Sequence, residues 1–241
     1  MSCVVYTGHD VVPLKPGTEQ RGTIALGSFL QQLRWLQRFG LQFIALRKLQ
    51  AWLSAGEKIP KRAAVLTFDD GYESIREHVF PYLQKENIPF TIFVIAGFMG
   101  RQSNFYAHKE TVLRRHLDTE ALKELIQSKA VEIGSHGYHH LNLTQIDGDK
   151  LWHEIRGSKE LLEDSLNINV PYFAYPYGRA THAVRQKARE AGYRLAFTTQ
   201  KMKLASANID LLSIPRVNWG RRATLFKLYK YYLIPWIRSA G

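Results

Sequence analysis

The stretch TFDDG (67–71) sets two carboxylates side by side directly after the apolar run AAVLTF. Like charges at neighbouring positions repel, and each costs free energy to remove from water. A cation is the simplest partner for such a pair. A second cluster, SHGYHH (135–140), follows the apolar run VEIG and puts His136 and His140 four residues apart. If that segment is helical or turn-like, both imidazoles face one way and can share a metal, with a carboxylate from another strand completing the set. Two histidines and one Asp suit zinc, with nickel, cobalt or manganese as other divalent options. His139 is an alternative to His140, although the spacing favours His140. A third polar cluster, FAYPYG (173–178), again ends an apolar run.

These clusters need elements that bring them together. Strand candidates are CVVY (3–6), QFIAL (42–46), AAVLTF (63–68), PFTIFVI (89–95), VEIG (131–134), YFAY (172–175), LAFTT (195–199) and LLSIPRV (211–217). Helical patterns lie between them. One is capped by Ser28 and shows Phe29, Leu30, Leu33 and Leu36 on its apolar face; others cover 74–87, a stretch capped by Asp118, 147–166, and 181–191 before Gly192. Alternation of strand and helix predicts a parallel sheet with helices outside. This many strand candidates in one chain fit a barrel better than an open sheet, and in a barrel the C-terminal strand ends converge on one face. All three polar clusters fall at such ends. The stretches 13–22, 98–109 and 200–210 read as loops and none as a linker, so 1–241 is read as a single domain.

Hydrophobic residues make up 45% of the chain and charged residues 22%, which supplies a core and argues against disorder. The formal net charge of +12 points to an anionic partner, whether nucleic acid, an anionic membrane surface or an acidic substrate. Nucleic acid is not expected, because no recognition motif accompanies the charge. Half of the excess sits after Asp210, where Arg216, Arg221, Arg222, Lys227, Lys230 and Arg238 meet no acidic residue. Within a basic, aromatic C-terminal helix expected over 222–241, Leu225, Leu228, Tyr229, Tyr232 and Trp236 share one side, and Lys227, Lys230 and Arg238 the other. Such a helix either docks on the barrel or rests on anionic lipid. The single Cys3 excludes an internal disulfide and reads as a small core side chain. No signal-peptide pattern opens the sequence, and no apolar run reaches the ~20 residues needed to span a bilayer. The expected location is the cytoplasm, with a peripheral position at the inner membrane face as the option the basic helix offers.

FDDG, then His-x-x-x-His, then Pro-Tyr-Gly, in this order across 65–217, resembles the polysaccharide deacetylase family, the NodB-homology group of carbohydrate esterase family 4. Within it, the FAYPYG and IPRV stretches resemble the circularly permuted subgroup that includes poly-N-acetylglucosamine deacetylases. The resemblance implies an α/β fold, a distorted (β/α)7 barrel. It implies a metal-dependent hydrolase that removes N-acetyl groups from an N-acetylated sugar in a polysaccharide or glycoconjugate. Asp70, His136 and His140 would bind the metal, and Asp69 would be the general base. The backbone N–H of Tyr177 would stabilise the oxyanion, and Tyr175 and Pro176 would border the substrate. A deacylase for another acyl group on a lipid-linked sugar and a non-catalytic carbohydrate-binding barrel are the alternatives. The presence of Asp69 and of all three ligands speaks against the second.

The chain departs from the family pattern in four places. Gly137 stands where a hydroxyl residue is usual. Ala174 stands where an arginine usually orients the base; Arg216 of SIPRV is either its substitute or a surface-strand arginine. The usual C-terminal Leu-x-His acid is absent. The run VVYTGHD instead leads a strand into His9, the expected general acid, with Asp10 to orient it and His182 in reserve. The Asp-x-x-Trp motif is also absent, and Trp219 of VNWG either offers a sugar-stacking face or packs in the core.

Overall fold

Apolar runs that can be buried on both faces build a parallel sheet. In the computed structural model, which describes residues 2–17, 22–104, 113–199 and 209–219, they form β1 (Ser2–Gly8), β2 (Arg62–Phe68), β3 (Phe90–Val94), β4 (Val131–Ser135), β5 (Tyr172–Ala174), β6 (Leu195–Phe197) and β7 (Val217–Asn218). Their spatial order is β6-β5-β4-β3-β2-β1-β7, and every pair is parallel. The stretch leading into β7 joins the two edges. Ile214 bridges Phe197, and its N–H donates to the Ala196 carbonyl, while Val217 and Asn218 pair with Tyr6 and Thr7 of β1. The result is a distorted (β/α)7 barrel. The pattern over 211–217 predicts a continuous strand here, but Pro215 has no N–H to give to a ladder. A single bridge at Ile214 and a two-residue strand replace it.

Alternate residues on each strand face opposite ways. Cys3, Val5, Ala63, Val65, Phe93 and Phe197 fill the inner cluster. Val4, Tyr6, Leu66, Phe68, Ile92 and Ile133 join an outer layer with the surrounding helices. These are α1 (Leu26–Arg38), α2 (Leu46–Ala55), α3 (Phe80–Lys85), α4 (Thr119–Gln127), α5 (Gly148–Trp152), α6 (Ser158–Leu166) and α7 (His182–Glu190).

The pattern QFIAL predicts a strand over 42–46, yet only Gln42 and Phe43 pair, with Ala63 and Ala64. The chain turns into α2 at Leu46 because the Glu132 carboxylate accepts the backbone N–H groups of Leu46 (2.6 Å) and Arg47 (3.2 Å). An anion suits the positive end of a helix. Leu46, Leu49 and Leu53 then pack into the inner cluster beside the strand beginnings.

Elsewhere Asp118 and Thr181 cap α4 and α7 with their side chains. α1 begins at Leu26, ahead of the expected Ser28, with no side-chain cap. The long helix predicted over 147–166 is α5 and α6, joined through a π turn at His153–Gly157. Among the described residues, no helix is long and apolar enough to cross a membrane. The C-terminal helix expected over 222–241 lies outside the described residues.

Gly134 on β4 shows how full the barrel interior is. A Cβ there would run into the Phe93 ring and approach the Tyr172 carbonyl oxygen to 3.1 Å. Gly134→Ala is therefore expected to destabilise the protein by about 1–3 kcal/mol through overpacking, read as a lower urea midpoint with an unchanged slope.

Candidate active site

The C-terminal ends of β1, β2, β4 and β5 each deliver a polar residue to one cavity of ≈ 420 Å³, bordered by His9, Asp69, His136, His140, Tyr177 and Trp219 among others. β2 ends in the two carboxylates. Both are buried, with Asp69 at 2% and Asp70 at 0% exposure, so each needs its own compensation.

Asp69 finds it in Arg216, which precedes β7. Arg216 is completely buried and donates in a fork, Nη1 to Oδ1 and Nη2 to Oδ2, both at 2.7 Å. Its Nη1 also reaches Thr67 Oγ1 at 3.2 Å, and the guanidinium lies over the rings of Phe93 and Phe197 at 5.4 and 5.8 Å. A surface-strand arginine is thus not what the fold builds. Burial alone would raise the Asp69 carboxyl, but the Arg216 charge, with His136 and His9 behind it, holds the group well below the usual carboxylate range.

Asp70 is treated differently. Both of its oxygens are buried, and neither receives a hydrogen bond; the nearby Tyr72 hydroxyl stays outside bonding geometry. Around it stand His136 Nε2 at 3.5 Å and His140 Nε2 at 3.7 Å. One ligand atom from each of Asp70, His136 and His140 lies within 4.8 Å of the others. The His136 Nδ1–H donates to the Ala174 carbonyl at 2.7 Å, which leaves Nε2 as the atom that faces Asp70. That is the tautomer a metal-binding imidazole takes. Burial pushes His140 down to about 4, so it is neutral at pH 7. Burial would raise Asp70, but the neighbouring histidines His9, His140 and His136 lower it, against the opposing push from Asp69. An orphaned buried carboxylate faced by two imidazole Nε2 atoms fits one divalent cation.

The histidine loop is not helical. Its four-residue spacing works through left-handed turns at Gly137 (φ 82) and His140 (φ 61), which bring the two rings to 5.0 Å. Glu154, on the π turn between α5 and α6, holds the loop. It is buried and accepts the backbone N–H groups of Tyr138 and His139 and pairs with His139 Nδ1 at 2.7 Å. His139 is therefore turned away from the cation set. At Gly137 the left-handed backbone (φ 82) disfavours a side chain, and Glu154 supplies acceptors to the loop beside it. Sequence reasoning missed Glu154. Its signal was present: an acid falling on the same helical stripe as Leu151, Ser158 and Leu162.

The remaining candidates separate. His9 Nε2 sits 4.0 Å from Asp69 Oδ2 on the cavity wall. Asp10 does not orient it. That carboxylate is spent on Arg114 Nε (2.7 Å), Ser74 Oγ (2.6 Å) and Thr23 Oγ1 (3.3 Å). His182 is exposed at the start of α7 and away from the cavity-lining residues. Tyr177 is 57% exposed, in a left-handed conformation (φ 59), with its ring 4.8 Å from His140. Pro176 is buried beside it. Tyr175 borders the cavity, but its side chain is fully buried and its hydroxyl donates to the Leu212 carbonyl, a packing role rather than a sugar contact. Trp219 borders the cavity while packed against Tyr6 and Phe29 at 5.2 and 5.1 Å.

Comparison with known proteins agrees with this geometry. Residues 56–196, more than half of the chain, match the family model for polysaccharide deacetylase. The poly-β-1,6-N-acetyl-D-glucosamine N-deacetylase of Staphylococcus aureus is 27% identical over 203 residues, 81% of this chain and 67% of that protein. The deacetylase PplD of Streptococcus pyogenes, solved in complex with acetate, superposes with a TM-score of 0.81 at 25% identity, covering 96% of this chain and 98% of that one. IcaB from Ammonifex degensii gives 0.77 at 28% identity, covering 99% and 95%. The chain spans 57–67% of the length of the curated relatives it matches.

Removing Arg216 would strand a buried carboxylate. Arg216→Met is expected to cost about 3–5 kcal/mol at pH 7, measured by denaturant unfolding. The folded pKa of Asp69 lies below its ordinary value of 3.8. Its stabilisation is therefore fully present above that value and lost as pH falls through the folded pKa. Without Arg216, burial raises the Asp69 carboxyl of the variant, so the gap between wild type and variant should begin to narrow above about pH 4 and continue to close as pH falls further.

Proposed function

The chain belongs to the polysaccharide deacetylase family, and on that premise we propose that it removes N-acetyl groups from N-acetylglucosamine units of a polysaccharide or glycoconjugate. It is then a hydrolase of carbon–nitrogen bonds with one divalent cation, zinc first. The observation that carries this reading is the split between the two carboxylates: Asp69 is locked to Arg216, and Asp70 is left open beside His136 and His140. The name of the staphylococcal relative supports the choice of sugar.

Held by Asp70, His136 and His140, the cation would polarise the amide carbonyl and acidify the attacking water. Asp69 accepts that water's proton as the new C–O bond forms. Arg216 keeps Asp69 ionised throughout the neutral range, so the acceptor is always in the correct form. The same pairing makes it a weak base, which serves here because the water is acidified. Tyr177 offers its backbone N–H to the oxyanion from the Pro176–Gly178 turn at the cavity wall. His9 donates a proton to the departing nitrogen as the C–N bond breaks, leaving acetate and a free sugar amine. Trp219 and the exposed Tyr177 ring flank the sugar.

Acetate release from a β-1,6-linked N-acetylglucosamine oligomer tests this reading. Wild type releases acetate, and Asp69→Asn and His9→Phe each lower kcat by about 10²–10⁴-fold with little change in KM. Turnover by Asp69→Asn at the wild-type rate would refute the assignment of the base.

A further inference from the structure

Asp70 is held in a backbone conformation that few non-glycine residues adopt, φ 72. Something outside the three-ligand set must keep it there. The segment 113–117 does this. Leu117 N–H donates to the Gly71 carbonyl at 2.8 Å, and His116 bridges Tyr72 in antiparallel fashion. His116 itself is 1% exposed, with its ring against Tyr72 at 4.8 Å and Phe98 at 5.5 Å. Its Nδ1 lies 2.8 Å from the Asp70 carbonyl oxygen, and its Nε2 lies 2.7 Å from Ser103 Oγ. A carbonyl can only accept, so Nδ1 carries the proton, and Nε2 accepts from the Ser103 hydroxyl.

We propose that His116 is a positioning residue for the cation site: its Nδ1–H fixes the left-handed Asp70 backbone and so aims the Asp70 carboxylate at His136 and His140. The role rests on the reading of Asp70 as a metal ligand. His116 is not among the cavity-lining residues; its Nδ1–H bonds the main chain of Asp70, and the Ser103 hydroxyl fixes its tautomer at Nε2. Outer-sphere partners of this kind set the affinity of metal sites through orientation.

Calorimetric titration of zinc into the metal-free full chain, without substrate, tests the proposal. His116→Asn keeps an amide N–H where Nδ1 stands, whereas His116→Gln carries its amide farther out, towards Ser103. Zinc affinity in His116→Asn should stay within about threefold of wild type, and in His116→Gln it should fall about 10–100-fold, with circular dichroism unchanged. Equal affinity in all three chains, or equal loss in both variants, overturns the proposal. Should His116→Gln fail to fold, imidazole ¹⁵N shifts of the unmutated protein decide: a proton on Nδ1 is expected, and a proton on Nε2 overturns the role. If wild type takes up no zinc, the cation reading fails and this proposal with it. Binding by wild type and both variants alike overturns this proposal alone.

Discussion

Two carboxylates on consecutive residues, both removed from water, cannot share one environment. Asp69 and Asp70 follow β2, with Asp70 in a left-handed conformation (φ 72), and each meets a different kind of partner. Asp69 receives a rigid, permanently charged fork. Asp70 receives two imidazoles and no hydrogen bond. Had both carboxylates been paired with arginine, no cation could enter. Had neither been paired, burial would have protonated at least one of them.

That division depends on barrel closure. Arg216 lies 147 positions from Asp69 in sequence, and it arrives only because the segment from Ile214 to Trp219 bonds to β6 at its start and β1 at its end. The thin seam left by Pro215 is sufficient because the ion pair, the Phe93 and Phe197 rings and the inner apolar cluster all meet there. Stability and chemistry thus share the same residues. The histidine side follows a similar logic: the Ala174 carbonyl fixes His136, and Glu154 fixes the loop that carries His140.

Much of this is legible in the sequence. The runs around Val65 and Ile92 mark strands because both faces are apolar, and VEIG around Ile133 because Val131 and Ile133 alternate with Glu132. Asp69, His136 and Tyr175 each follow such a run, and parallel strands bring those ends together. What could not be read were contacts set by long-range geometry. QFIAL has the composition of a strand, and only the Glu132 carboxylate, far away in sequence, makes Leu46 a helix start. Arg216 looked equally like a surface residue, since nothing local reports that its strand closes a ring. Asp10 beside His9 suggested an orienting pair, but neighbours in an extended chain point to opposite sides, and Arg114 claimed the carboxylate. His116 carried no periodic signal at all.

The most direct test is the metal content of three purified chains without affinity tags: wild type, Asp69→Asn and Asp70→Asn. If Arg216 owns Asp69 and the cation belongs to Asp70, wild type and Asp69→Asn should each hold about one zinc ion per chain, and Asp70→Asn should hold essentially none. Loss of the metal from Asp69→Asn with retention in Asp70→Asn would contradict the division of the two carboxylates on which the account stands.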